Sequence, residues 1–182
     1  MSQPQQPGRM TDPSLEIRAP SLTEREAALA LLRERWGTVV VSRGVIHTLA
    51  QLPMLVAVRA ALVGCLTYRH DGHSIEVVTL DAFVEHQGVG TTLLRAALRL
   101  GPKVWLVTTN GNLRAQSFYR SNGGTLVAVH LGAVAHSRTL KPSIPTHGQD
   151  GIPISDELQY EWSCSDVPRA GDSPAGRPWR VR

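Results

Sequence analysis

The sequence predicts an α/β domain whose central sheet contains strands that run in both directions. The chain has 182 residues, the length of one ordinary domain, and 42% of them are hydrophobic, which is enough for a packed core. Between residues 15 and 162, runs with the two-residue period of strands alternate with runs of helical periodicity. The order β-α-β-β-β-α-β-α-β-β is typical of an α/β sheet with mixed strand directions.

The first elements are a short strand and a capped helix. Residues 15–18 alternate apolar and charged side chains. Ser21 and Glu24 form a capping-box pattern, which predicts that a helix begins there. Residues 38–53 have no clear period, and we expect a loop with a short helix around residues 46–50.

Three strands follow, at residues 54–59, 62–69 and 74–81. Apolar and β-branched residues dominate them, and Asp71-Gly72 is typical of a tight turn that joins the second strand to the third. Alternation in the third strand predicts one face with Ile75, Val77 and Thr79 and the opposite face with Glu76, Val78 and Leu80.

The second half of the domain contains two strand-to-helix junctions. Gly88-Val89-Gly90 follows the third of these strands, and helical spacing of apolar residues begins at Val89. Asn112 caps a second helix, which ends at Gly123-Gly124. The remaining strands are predicted at residues 103–109, 125–131 and 157–162, and residues 132–155 are expected to be irregular.

Charge and cysteine content exclude several classes of function. The formal net charge is +4, and part of this excess lies among the arginines of residues 165–182, so the body of the domain has no concentrated basic patch for a nucleic acid. No apolar run is long enough to span a membrane. Cys65 and Cys164 give neither a disulfide framework nor metal-site spacing. We therefore expect no metal, no membrane partner and no specific nucleic-acid partner, and a homodimer is left open.

The two ends of the chain read as tails around one domain. Residues 1–13 are rich in glutamine and proline, and residues 165–182 in proline, glycine and arginine. Neither segment has a helical or strand period, so we expect a disordered N-terminal tail, a domain at residues 14–164 and a C-terminal tail. Residues 1–13 also lack the hydrophobic segment of a secretory signal, which predicts a cytoplasmic protein.

The glycine-rich junction predicts an anion site. The first amides of a helix that begins near Gly88 have no intrahelical partner, and the helix dipole favours a phosphate or pyrophosphate there. The alternative is a tight turn that needs glycine for its own geometry. Leu93 stands where a dinucleotide fingerprint has its third glycine, and Thr91 follows Gly90 where a Walker loop has lysine, so both of those motifs are disfavoured.

The residues of the second junction have two interpretations, one structural and one functional. Asn112 is most simply an N-cap, and Phe118 and Tyr119 are most simply core aromatics. A tyrosine one or two turns into a helix that begins at an open sheet end can also place its hydroxyl in a cleft.

Together the two junctions resemble the GNAT superfamily of N-acetyltransferases. Gln87-Gly88-Val89-Gly90 is similar to the acetyl-CoA pyrophosphate loop, usually Gln/Arg-x-x-Gly-x-Gly/Ala. Asn112, Ala115, Phe118-Tyr119 and Gly123 are similar to the next motif, Asn-x-x-Ala-x-x-Phe-Tyr-x-x-x-Gly-Phe. The order of elements matches over residues 15–162. The resemblance implies acetyl-CoA as co-substrate and a mostly antiparallel sheet of about seven strands, splayed at the cofactor site and flanked by about four helices.

The resemblance also implies which residues hold the cofactor. The main chain of Leu80, Asp81 and Ala82 would pair with pantetheine, and Asn112, Ala115 and Tyr119 would lie along pantetheine and the thioester. Loop amides would hold the diphosphate, namely those of His86, Gln87, Gly88, Val89, Gly90 and Thr91. Glu85 stands where glutamine or arginine is usual. Gly124 stands where phenylalanine is usual, and we expect this to loosen a packing contact.

Direct attack of an amine on the thioester needs a base and a proton donor. Tyr119 is the expected donor to the departing thiolate; the alternative is a packed tyrosine that only hydrogen-bonds CoA. Glu76 is the expected base, directly or through water; the alternative is a solvated strand glutamate. Asp81 is a lesser candidate, because its carboxylate could instead fix the local backbone. No nucleophilic cysteine is required, so Cys65 is read as a small buried hydrophobe.

The acceptor is expected to meet residues 37–53 and 132–155. Polar residues of these segments are the candidate acceptor ligands: Ser42, Arg43, His47, His136 and Lys141. Arg43 would pair with a carboxylate on the acceptor. The leading function is acetylation of a primary amine of a small molecule. The alternatives are acetylation of a protein or peptide amine and a non-catalytic acyl-CoA-binding regulatory module.

Overall fold

The described part of the chain, residues 14–84, 87–148 and 150–163, forms nine strands and four α-helices in the computed structural model. The elements are β1 (Glu16–Arg18), α1 (Leu22–Trp36), β2 (Val39–Ser42), β3 (Val45–Thr48), β4 (Met54–Arg59), β5 (Ala61–Asp71), β6 (Ser74–Ala82), α2 (Val89–Ala97), β7 (Lys103–Thr109), α3 (Leu113–Ser121), β8 (Thr125–His130), α4 (Ala133–Leu140) and β9 (Glu157–Ser163). The predicted tails, and with them Cys164, lie outside the described residues, as do Glu85 and His86.

Seven strands form one sheet in the order β1-β4-β5-β6-β7-β9-β8. All neighbours are antiparallel except β6 and β7, which are parallel and are connected through α2. The predicted mixed, mostly antiparallel sheet is thus confirmed. The capping box at Ser21 is also present, with Ser21 Oγ accepting from Glu24 N at 3.3 Å.

Two apolar clusters pack on opposite faces of this sheet. Neighbouring residues of one strand, such as Cys65 and Leu66, belong to different clusters, as the pleat requires. One cluster lies under α2 and α3, and we call this side the α2 face. The other lies under α1, and we call this side the α1 face; the β2–β3 hairpin and α4 contact each other on it.

A β-bulge in β6 changes which side chains share a face. Thr67 pairs with Thr79 and Tyr68 pairs with Val77, so Val78 has no partner on β5. Beyond this extra residue the alternation is reversed. Leu80 therefore packs in the cluster of the α2 face, and Val78 packs in the cluster of the α1 face.

Because of this bulge, the two faces of β6 differ from the prediction, and two carboxylates lie on the same face. The prediction that Leu80 shares a face with Glu76 is wrong, because a regular alternation was assumed through the bulge. Glu76 and Asp81, five positions apart, would point to opposite faces of a regular strand. Here both carboxylates contact elements of the α1 face.

Residues 38–53 form a hairpin rather than the predicted loop with a short helix around residues 46–50. β2 and β3 pair antiparallel, and a single 3-10 turn follows at Leu49–Gln51. Arg43 and Gly44 form the turn with φ of 50° and 74°. This is the pair of left-handed residues that a type I′ turn requires.

Residues 132–155 were expected to be irregular, and this expectation is wrong over α4. Gly132 caps α4 with a left-handed backbone, and its N–H donates to Asp156 Oδ1 at 2.8 Å. No side-chain cap marks the start of this helix. The following residues fold back so that Gly148 lies against Gly111, where a Cβ would meet the main chain at 2.4 Å.

Candidate functional site

β6 and β7 pair over half of their length and then separate. Residues 74–77 pair with residues 103–106. Beyond this point β6 stays with β5 as far as Ala82, and β7 stays with β9 as far as Thr109. The result is a V-shaped opening inside the sheet. Its facing edges carry main-chain N–H and C=O groups without a strand partner, and Leu80, Asp81 and Ala82 lie on one of these edges.

α2 begins beyond the end of β6, at the wide end of this opening. Gly88 caps the helix with φ of 72° and no side-chain hydrogen bond. The amides of Val89, Gly90 and Thr91 therefore lack an intrahelical acceptor. Gly90 has a packing reason of its own, since a Cβ there would lie 3.3 Å from Phe118 Cζ. The glycines thus shape the turn and the helix contact, and the first amides of α2 have no acceptor within the helix.

A cation that the sequence analysis missed lies beside this loop. Arg59 Nη1 donates to Gln87 Oε1 at 2.6 Å. Arg59 ends β4, and the 28 positions between the two residues hide their proximity in the sequence. The pairing of β4, β5 and β6 brings the end of β4 to the end of β6.

Tyr119 lies on α3 among aromatic rings. Its ring centroid is 5.5 Å from that of Phe118, 5.6 Å from that of Tyr160 and 6.1 Å from that of Trp162. Burial raises the pKa of Tyr119, and the Asp81 carboxylate and Tyr160 add to this rise. The hydroxyl therefore keeps its proton at every physiological pH.

Gly124 contributes to the position of Tyr119. A Cβ at Gly124 would lie 2.6 Å from Trp162 Cζ2 and 2.9 Å from Tyr119 O. Trp162 occupies the space beside the glycine, and its Nε1 donates to Asn122 O at 2.9 Å. The expectation of a loosened contact at Gly124 is wrong, because an indole from β9 fills that space.

Asn112 and Ala115 form the first turn of α3. Asn112 Oδ1 accepts from Ala115 N at 3.1 Å, so Asn112 is the N-cap that the sequence predicts. α3 follows β7 and begins on the other side of the opening from Leu80.

Asp81 ties the end of β6 to α1. Its side chain is 1% exposed, accepts from Arg35 Nη1 at 2.7 Å, and accepts from Trp36 Nε1 at 3.0 and 3.1 Å. Burial raises the pKa of Asp81, and the hydrogen bonds from Arg35 and Trp36 oppose this rise. These contacts suit a carboxylate that fixes the local backbone.

Glu76 lies on the α1 face below the point at which β6 and β7 separate. Its Oε1 accepts from Ser42 Oγ at 2.7 Å, and its Oε2 accepts from Arg69 Nε. With a side chain only 1% exposed, it is not the solvated strand glutamate of the alternative reading. His47 Nε2 lies 3.8 Å from Oε1. Burial lowers the pKa of His47 although Glu76 opposes the effect, so the imidazole is neutral near pH 7.

A surface pocket of about 370 Å³ lies on the same face, between the tip of the β2–β3 hairpin and α4. Its lining residues are Arg43, Gly44, His130, Ala133, His136 and Glu157. Arg43 and His136 were predicted acceptor ligands. The sequence analysis missed His130 and Glu157, because the register of β8 and β9 brings them to the pocket.

Two other predicted acceptor ligands lie elsewhere. Lys141 Nζ donates to Trp36 O at 2.5 Å and to Val39 O at 2.8 Å, which joins α1 to β2. His47, in β3 of the hairpin, is buried and is not among the residues that line the pocket. Cys65 is fully buried, and burial raises the pKa of its thiol to about 12, which disfavours the reactive thiolate.

Comparison with known proteins identifies the family. The family model described as "Acetyltransferase (GNAT) family" matches residues 21–123. The chain therefore belongs to the GNAT family of acetyltransferases, and it is an acyltransferase. Within the described ranges, no helix has both the length and the hydropathy needed to cross a membrane.

Individual relatives and solved structures are similar to most of this chain. The uncharacterized protein YdhI of Bacillus subtilis (strain 168) is 35% identical over 136 residues, which are 70% of this chain and 84% of that protein. The IAA acetyltransferase from Bacillus cereus ATCC 14579 has a TM-score of 0.62 at 16% identity, covering 82% of this chain and 99% of that chain. A GNAT family acetyltransferase from Elizabethkingia anophelis with acetyl-CoA bound has a TM-score of 0.56 at 12% identity, covering 82% and 97%. These structures share the fold.

The buried carboxyl of Asp81 predicts a pH-dependent stability. Because its pKa is raised on folding, its contribution is fully present below about pH 4 and is lost as the pH rises through the raised value. Relative to Asp81→Asn, the wild-type free energy of unfolding should fall by up to about 1.4 kcal/mol per pH unit in that interval. Denaturant unfolding at a series of pH values measures this difference. Asp150→Asn, at an exposed position, is the control, and a flat difference for Asp81→Asn would contradict the prediction.

Proposed function

We propose that this chain transfers the acetyl group of acetyl-CoA directly to a primary amine of a small molecule. The observation that carries the proposal is the opening between β6 and β7, with free helix amides at its wide end and the protonated Tyr119 beside it. Acetyl-CoA is the co-substrate. Membership of the GNAT family supports acetyl transfer, and the limited volume of the surface pocket on the α1 face supports a small acceptor.

The cofactor would lie along the opening. The amides of pantetheine would pair with the main chain of Leu80, Asp81 and Ala82, as an added strand pairs with a sheet edge. The diphosphate would bind the amides of residues 86–91 at the start of α2. Arg59 would add a positive charge beside Gln87. Asn112, Ala115 and Tyr119 would contact the pantetheine arm and the thioester from α3.

The reaction needs no covalent enzyme intermediate. The lone pair of the neutral amine forms a C–N bond to the thioester carbonyl carbon, and the C–S bond breaks with its electron pair on sulfur. The nitrogen then gives one proton to a base, and the sulfur receives one proton from a donor. The products are the N-acetylated amine and CoA.

Tyr119 and Glu76 fit the two roles from opposite sides of the sheet. Tyr119 keeps its proton and would donate it, or a hydrogen bond, to the sulfur. Each oxygen of Glu76 already accepts one hydrogen bond, from Ser42 or Arg69, and each has a second lone pair. Because Glu76 is buried, we propose that it takes the proton through water rather than by direct contact.

The size of the pocket favours a small acceptor over a peptide. A volume of about 370 Å³ is at the lower end of the range for small-molecule sites. A peptide would need an extended groove along the same face, and α4 and the hairpin tip stand on either side of the pocket.

The proposal is tested with the full chain, acetyl-CoA and a panel of amines, amino acids, aminoglycosides and peptides. We expect release of CoA together with one equivalent of N-acetylated product, identified by mass, for at least one small amine. Turnover of peptides alone would favour the alternative acceptor. Binding of acetyl-CoA without turnover of any acceptor would favour the regulatory module.

Tyr119→Phe tests the proton donor. Removal of the hydroxyl should lower kcat by about 100-fold or more at saturating acetyl-CoA, the usual scale of general acid catalysis, and change the KM for acetyl-CoA little. Tyr160→Phe removes the hydroxyl of the adjacent ring and should leave kcat nearly unchanged. An unchanged kcat for Tyr119→Phe would exclude the donor role.

Glu76→Gln tests the base. If Glu76 accepts the proton, this variant should lose the acidic limb of the kcat/KM–pH profile along with most of its activity. Arg69→Gln breaks the same ion pair and keeps the carboxylate. Because the carboxylate is kept, this variant should retain more activity than Glu76→Gln. Profiles of the same shape in the wild type and in Glu76→Gln would contradict the role.

A further inference from the structure

We propose that the acceptor carries a carboxylate in addition to its amine, and that the guanidinium of Arg43 binds this carboxylate. This inference rests on the proposed function and specifies its substrate class as small amino acids and similar compounds. Arg43 would be a specificity-determining residue, held by the hairpin turn at the edge of the pocket.

The pocket lies near the end of β7, the strand that forms one edge of the opening. Glu157, which lines the pocket, pairs with Thr109 at the end of β7. The Arg43 guanidinium carbon Cζ lies 5.7 Å from the ring centroid of Trp105, which is paired with Glu76. The pocket is thus lined by the hairpin tip, β8, α4 and β9 on the α1 face, and it adjoins β7 through Glu157 and through the contact of Arg43 with Trp105. We infer that the amine of an acceptor held by Arg43 faces the opening, because Trp105 lies at the level at which β6 and β7 separate.

The guanidinium of Arg43 has N–H donors that are free for a ligand. In the part of the chain that the structure describes, no carboxylate pairs with its guanidinium, which lies over the ring of Trp105. A contact with an aromatic face uses none of the five N–H donors. The fork of a guanidinium matches the two oxygens of a carboxylate, so the free donors are suited to that group.

The backbone of Arg43 has a left-handed conformation that is unusual for arginine. A φ of 50° is unfavourable for a side chain of this size, and asparagine, aspartate or glycine is the usual residue at this turn position. Glu157 holds the turn, since its Oε2 accepts from Arg43 N at 2.9 Å and its Oε1 accepts from Ser137 Oγ at 2.7 Å. The fold therefore maintains a strained arginine where asparagine would form a better turn, and strain of this kind occurs typically at functional sites.

The pocket contains one cationic and one anionic side chain, those of Arg43 and Glu157. The exposed cation of Arg43 stands near the buried carboxylate of Glu157, which is 3% exposed and keeps one lone pair on each oxygen. His130 and His136 complete the polar lining, and His130 Nε2 lies 3.1 Å from Gln159 Oε1. One cation and one anion in a small pocket complement a ligand with both charges, as an amino acid has. An acceptor with several positive charges would meet Arg43 unfavourably.

The inference is tested with acceptor pairs that differ only in the carboxylate, namely an amino acid and its carboxamide, after correction for the fraction of neutral amine. For the wild type we expect kcat/KM to be higher for the acid. Arg43→Asn restores the preferred Asn-Gly turn, so its thermal stability should equal or exceed that of the wild type. Its kcat/KM should fall by about 10- to 100-fold for the acid and stay unchanged for the carboxamide. Arg43→Lys should lie between the two.

Arg99→Asn is the control, because it removes an equal charge from an exposed position at the end of α2. Equal effects of Arg43→Asn on the acid and the carboxamide would overturn the inference, and so would a wild-type preference for the carboxamide or for an aminophosphonate. The last two results would leave acetyl transfer intact, whereas no CoA release with any amine would refute the proposed function. Calorimetry of N-acetyl amino acid binding, with CoA present, then tests Arg43 without turnover. Equal binding by the wild type and Arg43→Asn, or no binding, overturns the inference.

Discussion

The separation of β6 from β7 after residues 77 and 106 is the constraint on which the rest of the molecule depends. If the parallel pairing continued to Ala82, the main-chain groups of both edges would bond to each other, and the opening proposed for the cofactor would be closed. Each strand is held apart by its outer neighbour and by side chains. Asp81 anchors the end of β6 to Arg35 and Trp36. On the other side, Asn110 bonds the end of β7 to the main chain of the segment before β9.

Three buried carboxylates organise the α1 face, and each has a different set of partners. Asp81 is bound to α1, Glu76 to Ser42 and Arg69, and Glu157 to the hairpin turn and α4. A buried carboxylate is costly unless it is fully hydrogen-bonded, so these bonds define where the surrounding elements lie. The bulge at Val78 makes this arrangement possible, because it turns Asp81 to the same face as Glu76.

Most of the sheet could be predicted from the sequence, since apolar alternation and turn residues act locally. The limits of β4, the capping box of α1 and the cap of α3 are of this kind. The β2–β3 hairpin was missed because arginine stands where its turn usually has asparagine. α4 was missed because only a glycine precedes it, and the bulge because Val78 carries no local signal. For the site, the motifs indicate the loop and Tyr119. The positions of Arg59, His130 and Glu157 depend on strand register, which no local pattern specifies.

By its strand pairing, the sheet divides into two parts, which we call plates. One consists of β1, β4, β5 and β6, the other of β7, β9 and β8, and four residue pairs at one end join them. A molecule that hydrogen-bonds to both inner edges would connect the two plates across the gap. The plates would then be most rigid relative to each other when the enzyme is loaded and could rock about the joined end when it is empty. Entry of one ligand would thus stiffen parts of the chain that are as distant as β1 and β8.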